Sequence, residues 1–182
     1  MCALDLTLAE MYVQGVSTRK VNAITEQLCG VNISSSLVSQ AASQLDTELE
    51  KWRERPLREY PFLFLDAYYE QVREDGQVRN LAVLVAVGIN SAGKREILGV
   101  SVSLSEHEVH WRTFLESLKQ RGLGGVQLIT SDDHAGLRAA RIAVFGGIPW
   151  QRCQFHLQQN AQAYVPHKHM QAEVAADIRL IF

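Results

Sequence analysis

One ionisable residue inside an aromatic and aliphatic run limits what this chain can fold into. The stretch Pro61-Phe62-Leu63-Phe64-Leu65-Asp66-Ala67-Tyr68-Tyr69-Glu70 lies between a proline and the charged Arg73-Glu74-Asp75-Gly76. Its composition and its borders predict a strand over residues 62–69. Asp66 falls in the middle of it. A carboxylate in apolar surroundings is costly unless it is hydrogen-bonded, paired or bound to metal. For a lone acid, an arginine or a backbone amide would be partner enough. A second acid delivered to the same place changes the chemistry.

The following segments deliver one. Residues 78–87 are an apolar run, Asn90-Ser91-Ala92-Gly93 reads as a turn, and residues 96–104 read as a third strand. The tight spacing predicts an antiparallel meander. Ser105 and Glu108 fit a capping box opening a helix with Val109, Phe114, Leu115 and Leu118 on its apolar face, ended by Gly122 to Gly125. Trp111 on that helix reads as packing against the sheet. A buried-looking strand over 126–130 terminates in Ser131-Asp132-Asp133-His134. A helix over 136–145 and a fifth strand over 148–155 complete the series. Three strands, helix, strand, helix, strand is the order of the ribonuclease H-like fold. A right-handed crossover sets strand four parallel to strand one. In that fold the two are neighbours, so Asp66 and Asp132 are expected together at the sheet.

Two adjacent carboxylates do not both ionise comfortably without a cation between them. Hard oxygen donors suit Mg²⁺ or Mn²⁺. A pair of such ions about 4 Å apart activates an attacking oxygen and stabilises a leaving one, which points to a phosphodiester substrate. The competing use of Asp132 and Asp133 is to cap the helix that follows. Asp133 or His134 can cap while Asp132 points to the metal.

Residues 1–58 read as a helical region. Leu6, Leu8, Met11, Tyr12 and Val16 have rough helical spacing, a second segment follows the Ser17-Thr18 cap, and a third follows Ser34-Ser35-Ser36. Two short helices about a glycine-bearing turn outline a helix-turn-helix, with residues 34–44 in the reading position and Arg19 and Lys20 as phosphate contacts. Plain helical packing accounts for the same pattern. Residues 48–59 are highly charged and read as a solvated helix, and Pro56 and Pro61 mark the boundary to a core over residues 59–182. Net charge is −2, with six basic and eight acidic residues in 1–60 and twelve of each beyond. There is no basic footprint of the kind nucleic-acid binders usually carry, so DNA contacts have to be local. At 182 residues and 47% hydrophobic, the chain is long enough for one sizeable core. Three unpatterned cysteines, Cys2, Cys29 and Cys153, suit a reducing cytoplasm. Neither a leader nor an apolar run of membrane-spanning length is visible, so a soluble, cytoplasmic protein without a membrane partner is expected.

Four motifs in order carry a resemblance. They are Leu65-Asp66-Ala67-Tyr68-Tyr69-Glu70-Gln71-Val72-Arg73, Gly88-Ile89-Asn90 with Gly93-Lys94-Arg95-Glu96-Ile97-Leu98-Gly99, Ser131-Asp132-Asp133-His134-Ala135-Gly136-Leu137, and Trp150-Gln151-Arg152-Cys153-Gln154-Phe155-His156. The chain resembles the Mutator-like transposases of bacterial insertion sequences. That resemblance implies a DDE-type catalytic core that cuts and joins DNA with two Mg²⁺ or Mn²⁺ ions, as a homo-oligomer when complete. Asp66 matches the first catalytic acid and metal ligand, and Asp132 the second. Cys153 and His156 match the family's Cys-x-x-His, and with Arg152 are expected to contact DNA or support the site.

The family's third acid is a Glu beyond a largely helical insertion, and no such segment fits before Phe182. Glu173 and Asp177 match no family motif. The chain therefore reads as a fragment or truncated copy with two of three ligands, expected to bind metal poorly and to leave DNA uncut. A non-catalytic DNA-binding remnant and a metal-dependent nuclease of the same fold are the alternatives.

Overall fold

The protein is represented by a computed structural model that describes residues 7–8, 10–11, 13–30, 33–74 and 76–181. Cys2, Leu6, Tyr12 and Asp75, all used above, lie outside the described residues. The chain divides into two compact units, residues 1–55 and 56–182.

The first unit is helical. Helix α1 (Thr18–Cys29) starts where the Ser17 side chain accepts a hydrogen bond from the Lys20 amide, and stops at Gly30, whose φ of 65° closes the end. Helix α2 (Ser35–Glu54) is capped by Ser34, which accepts from the Leu37 amide. The Asn22 side-chain oxygen accepts from the Ile33 amide at 2.9 Å and ties the connection to α1. Leu8, Val21, Ile33, Val38 and Ala41 form a small core of their own. One expectation is corrected here. The reading segment 34–44 and the charged segment beyond it are not separate helices, because α2 runs unbroken for 20 residues. Nothing between Gln44 and Glu48 breaks a helix, and the side-chain pairs Lys51–Glu48 and Arg53–Glu50 extend it on the solvent side.

The second unit is a five-stranded mixed sheet of order β3-β2-β1-β4-β5. Strands β1 (Phe62–Glu74), β2 (Gln77–Ile89) and β3 (Arg95–Ser103) are antiparallel neighbours. Strands β4 (Leu128–Ser131) and β5 (Trp150–Arg152) are parallel to their neighbours. Order and directions are those of the ribonuclease H-like fold. The first hairpin is longer than its apolar run, since Arg73 and Glu74 still pair with Val78 and Gln77. Gly76, at φ 76°, makes the tight return.

Helices α3 (Glu108–Gln120) and α4 (Ala135–Phe145) bury one face of the sheet. Leu63, Leu65, Leu84, Leu98 and Ile129 meet Trp111, Leu115, Leu118 and Leu137 there. Trp111 is a core residue, as its helical spacing implied. The opposite face leaves Phe62, Phe64, Tyr68, Ile97, Val100 and Val102 exposed. Helices α5 (Gln154–Ala163) and α6 (Lys168–Arg179) follow β5.

Two local expectations fail. The capping box at Ser105 does not form: α3 begins two residues later than that cap would start it, with His107 as N-cap and no side-chain cap bond. Instead the Ser103 hydroxyl donates to the Ser105 carbonyl and holds residues 104–107 out of the helix. The fifth strand is three residues long, and Gln154, Phe155 and His156 belong to the first turn of α5.

Leu84 is fully buried between the sheet and α3. Leu84→Ala should cost about 2–5 kcal/mol, the range for truncating a buried leucine. It should appear as a lowered denaturant midpoint of the sheet unit.

Candidate metal centre

Strands β1 and β4 pair over four residues, from Phe62 opposite Leu128 to Leu65 opposite Ser131. One residue further along each strand stand Asp66 and Asp132, which this register sets level with each other. Alternation along β1 turns Leu63 and Leu65 to the core and leaves Phe64, Asp66 and Tyr68 exposed. The Asp66 side chain is 65% exposed, so it escapes the burial cost that its apolar sequence context suggested. Its Oδ1 accepts from the Ala67 amide at 2.9 Å.

The end of β4 is fastened from the far side. Ser131 is buried; its hydroxyl donates to the Asp132 carbonyl and accepts from the Trp150 indole N–H at 3.0 Å. The Cys153 amide donates to the Ser131 carbonyl. The two neighbouring aspartates then part ways. Asp133 accepts from the Arg138 guanidinium, while Asp132 receives only a long contact of 3.4 Å from the His134 amide. His134 is the N-cap residue of α4, without a side-chain cap bond. Neither aspartate caps this helix strongly, and Asp132 keeps most of its acceptor capacity.

From the residues after β5, His156 reaches one of the acids. Its Nε2 lies 3.9 Å from Asp66 Oδ1, and its buried Nδ1 has no hydrogen-bond partner. Cys153, a free thiol, is the N-cap residue of α5. Both border a cleft of about 240 Å³ that is also lined by Phe64, Asp66, Val87 and Arg95. Arg152 ends β5, half-buried, with its Nε unpartnered. Arg19 and Lys20 are exposed in the first turn of α1, in the other unit. Glu173 and Asp177 are exposed on α6.

A third acid near the aspartates escaped the sequence reading. Glu106, in the segment between β3 and α3, has a side chain only 12% exposed, 3.9 Å from His134 Nδ1. Burial pushes its carboxyl above the ordinary glutamate range. His134 opposes that shift, Asp132 reinforces it, the Trp111 indole opposes it and Asp66 reinforces it. The capping-box reading concealed this residue by placing 105–108 in a helix. A lone acid two residues beyond a strand offers no other signal.

The whole chain, residues 1–182, matches the family model described as Transposase, Mutator family. The protein belongs to that family. As a Mutator-family chain it is 58% identical to the transposase for insertion sequence element IS406 of Burkholderia multivorans, over 99% of this chain and 47% of that one. It is 44% identical to the transposase for IS256 in transposon Tn4001 of Staphylococcus aureus, over 91% and 43%. With the transposase for IS1081 of Mycobacterium tuberculosis the identity is 43%, over 90% and 40%. The chain thus spans less than half the length of these curated relatives. Retroviral integrases are similar only faintly. The magnesium complex of the HTLV-2 integrase catalytic core domain gives a TM-score of 0.30 at 12% identity, over 68% of this chain and 85% of that one. The simian T-cell lymphotropic virus intasome with the PP2A regulatory subunit B56 gamma gives 0.33 at 10%, over 87% and 67%. Likeness at that level carries no argument, and the fold stands on its strand order.

In this Mutator-family chain, Asp66 and Asp132 offer hard oxygen donors of the kind Mg²⁺ and Mn²⁺ take. Among the described residues, no three His, Cys, Asp or Glu side chains already converge as a metal site. No helix among them is long and apolar enough to cross a membrane.

The raised Glu106 carboxyl sets a pH dependence. An acid whose folded pKa lies above its unfolded one lends stability at low pH that is lost as pH rises through the folded value. Without divalent ions, Glu106→Gln should therefore melt above the parent near neutral pH, and the gap should close on acidification below the ordinary glutamate range. Thermal melts across pH would show it.

Proposed function

We propose that this chain forms the helical and metal-binding portion of a DNA transposase, which cuts the ends of an insertion sequence and joins them to target DNA. The complete enzyme would use two Mg²⁺ or Mn²⁺ ions and work as a homo-oligomer in the cytoplasm. The observation that carries this reading is the level placement of Asp66 and Asp132, each one residue beyond the last β1–β4 pair, in a chain of the Mutator family.

Asp66 and Asp132 are the residues that would hold a divalent ion. Bound there, the ion would neutralise charge on the phosphate and lower the barrier to in-line displacement. The remaining tasks fall to the chain. His156 meets Asp66 from α5 and limits the directions its carboxylate can take. In cleavage a water oxygen bonds to phosphorus and the 3′ oxygen leaves; in joining, that 3′ hydroxyl oxygen bonds to a target phosphorus, and the target strand's own 3′ oxygen leaves and takes up a proton. Arg152, beside Cys153 and His156, is suited to a DNA phosphate near the site. The first unit, residues 1–58 in the reading from sequence, would hold DNA through residues 34–44, with Arg19 and Lys20 on phosphates. Its continuous α2 presents that segment as the first half of a longer rod.

Two measurements test this reading. Fusing the chain to the remaining region of the Burkholderia multivorans relative should give cleavage and joining of insertion-sequence end DNA that depend on Mg²⁺ or Mn²⁺. Asp66→Ala or Asp132→Ala should lower both a thousandfold or more, equivalent to about 4 kcal/mol of barrier. Cleavage that survives both substitutions overturns the assignment of these acids. Separately, DNA binding by the 182-residue chain, followed by fluorescence anisotropy, should weaken steeply with salt. Arg19→Ala and Lys20→Ala should each flatten the salt slope by about one unit. Equal affinity in residues 56–182 alone would remove the helical unit as the reader.

A further inference from the structure

Glu106 is placed with more care than a solvent-facing loop acid needs. Its backbone lies against the first turn of α4: a Cβ added at Gly136 would sit 2.2 Å from the Glu106 carbonyl oxygen and 2.9 Å from the Glu108 amide nitrogen. No side chain fits in that gap. The glycine therefore lets the 104–107 segment settle beside Asp132-Asp133-His134, the turn that carries the second aspartate. Below it lies Trp111, 0% exposed, whose buried indole N–H is the donor nearest in effect to this carboxyl. The indole favours the charged form of the Glu106 carboxyl. On its other sides Glu106 meets His134 at 3.9 Å and is within electrostatic reach of Asp132 and Asp66.

We infer that Glu106 is a third carboxylate of the Asp66–Asp132 metal site, acting on a divalent ion through a water of its coordination shell. This rests on the metal-binding reading of those two aspartates. Outer-sphere action follows from two observations. The three acids do not converge closely enough to ligate one ion together, and Mg²⁺ characteristically keeps several of its waters. Glu106 is then a positioning residue. It accepts a hydrogen bond from an ion-bound water, adds a third negative charge to the site, and is oriented by Trp111 from beneath and by the Gly136 contact from the side. His134, on the opposite flank, competes for the same carboxylate when the ion is absent.

Mn²⁺ titration of the 182-residue chain, followed by electron paramagnetic resonance of the free ion, tests the inference without any demand on activity. Glu106→Gln should weaken Mn²⁺ binding about tenfold or more, the loss typical when an outer-shell partner of a metal site is removed. Glu106→Asp should restore part of it, and Asp66→Asn should abolish it. The metal-free melting temperature of Glu106→Gln should equal or exceed the parent's, so the loss cannot be traced to unfolding. Affinity within twofold of the parent in Glu106→Gln, with Asp66→Asn inactive in binding, overturns the role of Glu106 alone. Affinity unchanged in both variants overturns the metal-binding reading itself, and this inference with it. A lowered melting temperature that accounts for the weaker binding assigns Glu106 a merely structural role and also overturns it. If Glu106→Gln does not fold, Glu106→Ala is judged by the same criteria.

Discussion

Four backbone pairings between β1 and β4 set the geometry on which everything else in the sheet unit depends. Antiparallel hairpins assemble from neighbouring segments, but β1 and β4 are separated by two strands and a helix. Their parallel contact is made only after that connection has crossed the sheet. Its register is specified because one face is buried. Sliding β4 by a single residue would turn Ile129 out of the core and Thr130 into it. The same slip would carry Asp132 off the level of Asp66. Core packing and acid alignment are therefore one constraint, enforced by Leu63, Leu65 and Ile129. The hydrogen bonds around Ser131 then fix where the strand stops.

This division explains what could be read in advance. The element order was legible because each strand is an apolar or alternating run and each helix carries an apolar face, so burial follows local pattern. Asp66 stood out as an acid inside such a run, and Asp132 as one just past the end of another. Other features depend on contacts between segments distant in the chain. Ser105 and Glu108 satisfy a capping box on paper, yet the Ser103 hydroxyl and the close approach of Gly136 to residue 106 keep that segment out of the helix. Glu106 was lost with it. Cys153, Gln154 and Phe155 were read onto the fifth strand; pairing with β4 ends at Arg152, and the chain turns into a helix as soon as it leaves the sheet.

In the helical unit the caps at Ser17 and Ser34 were legible for the usual reason: a serine hydroxyl satisfies an amide that the helix leaves bare. The single long α2 was not, since charged residues between 46 and 54 look like a change of segment. Their side chains pair along the helix surface, and a charged stretch of that kind continues a helix as readily as it leaves one. Phosphate-reading and packing roles for residues 34–44 require the same amphipathic pattern, so composition alone could not separate them.

The reach of the first hairpin has a consequence for how the fold opens. Strand β3 stops pairing at Ala82 and β4 at Leu65, so from Glu70 to Glu74 and from Gln77 to Leu81 the two strands have only each other. A lone two-stranded ribbon is marginal in water. Its amides should exchange with solvent by fraying inward from Gly76, with free energies well below that of global unfolding. Protection then climbs along β1 toward residues 62–65, where strands flank it on both sides. Asp66 sits one residue from the top of that gradient. The acid is carried by the last stretch of β1 to come apart, while the same strand ends in its first.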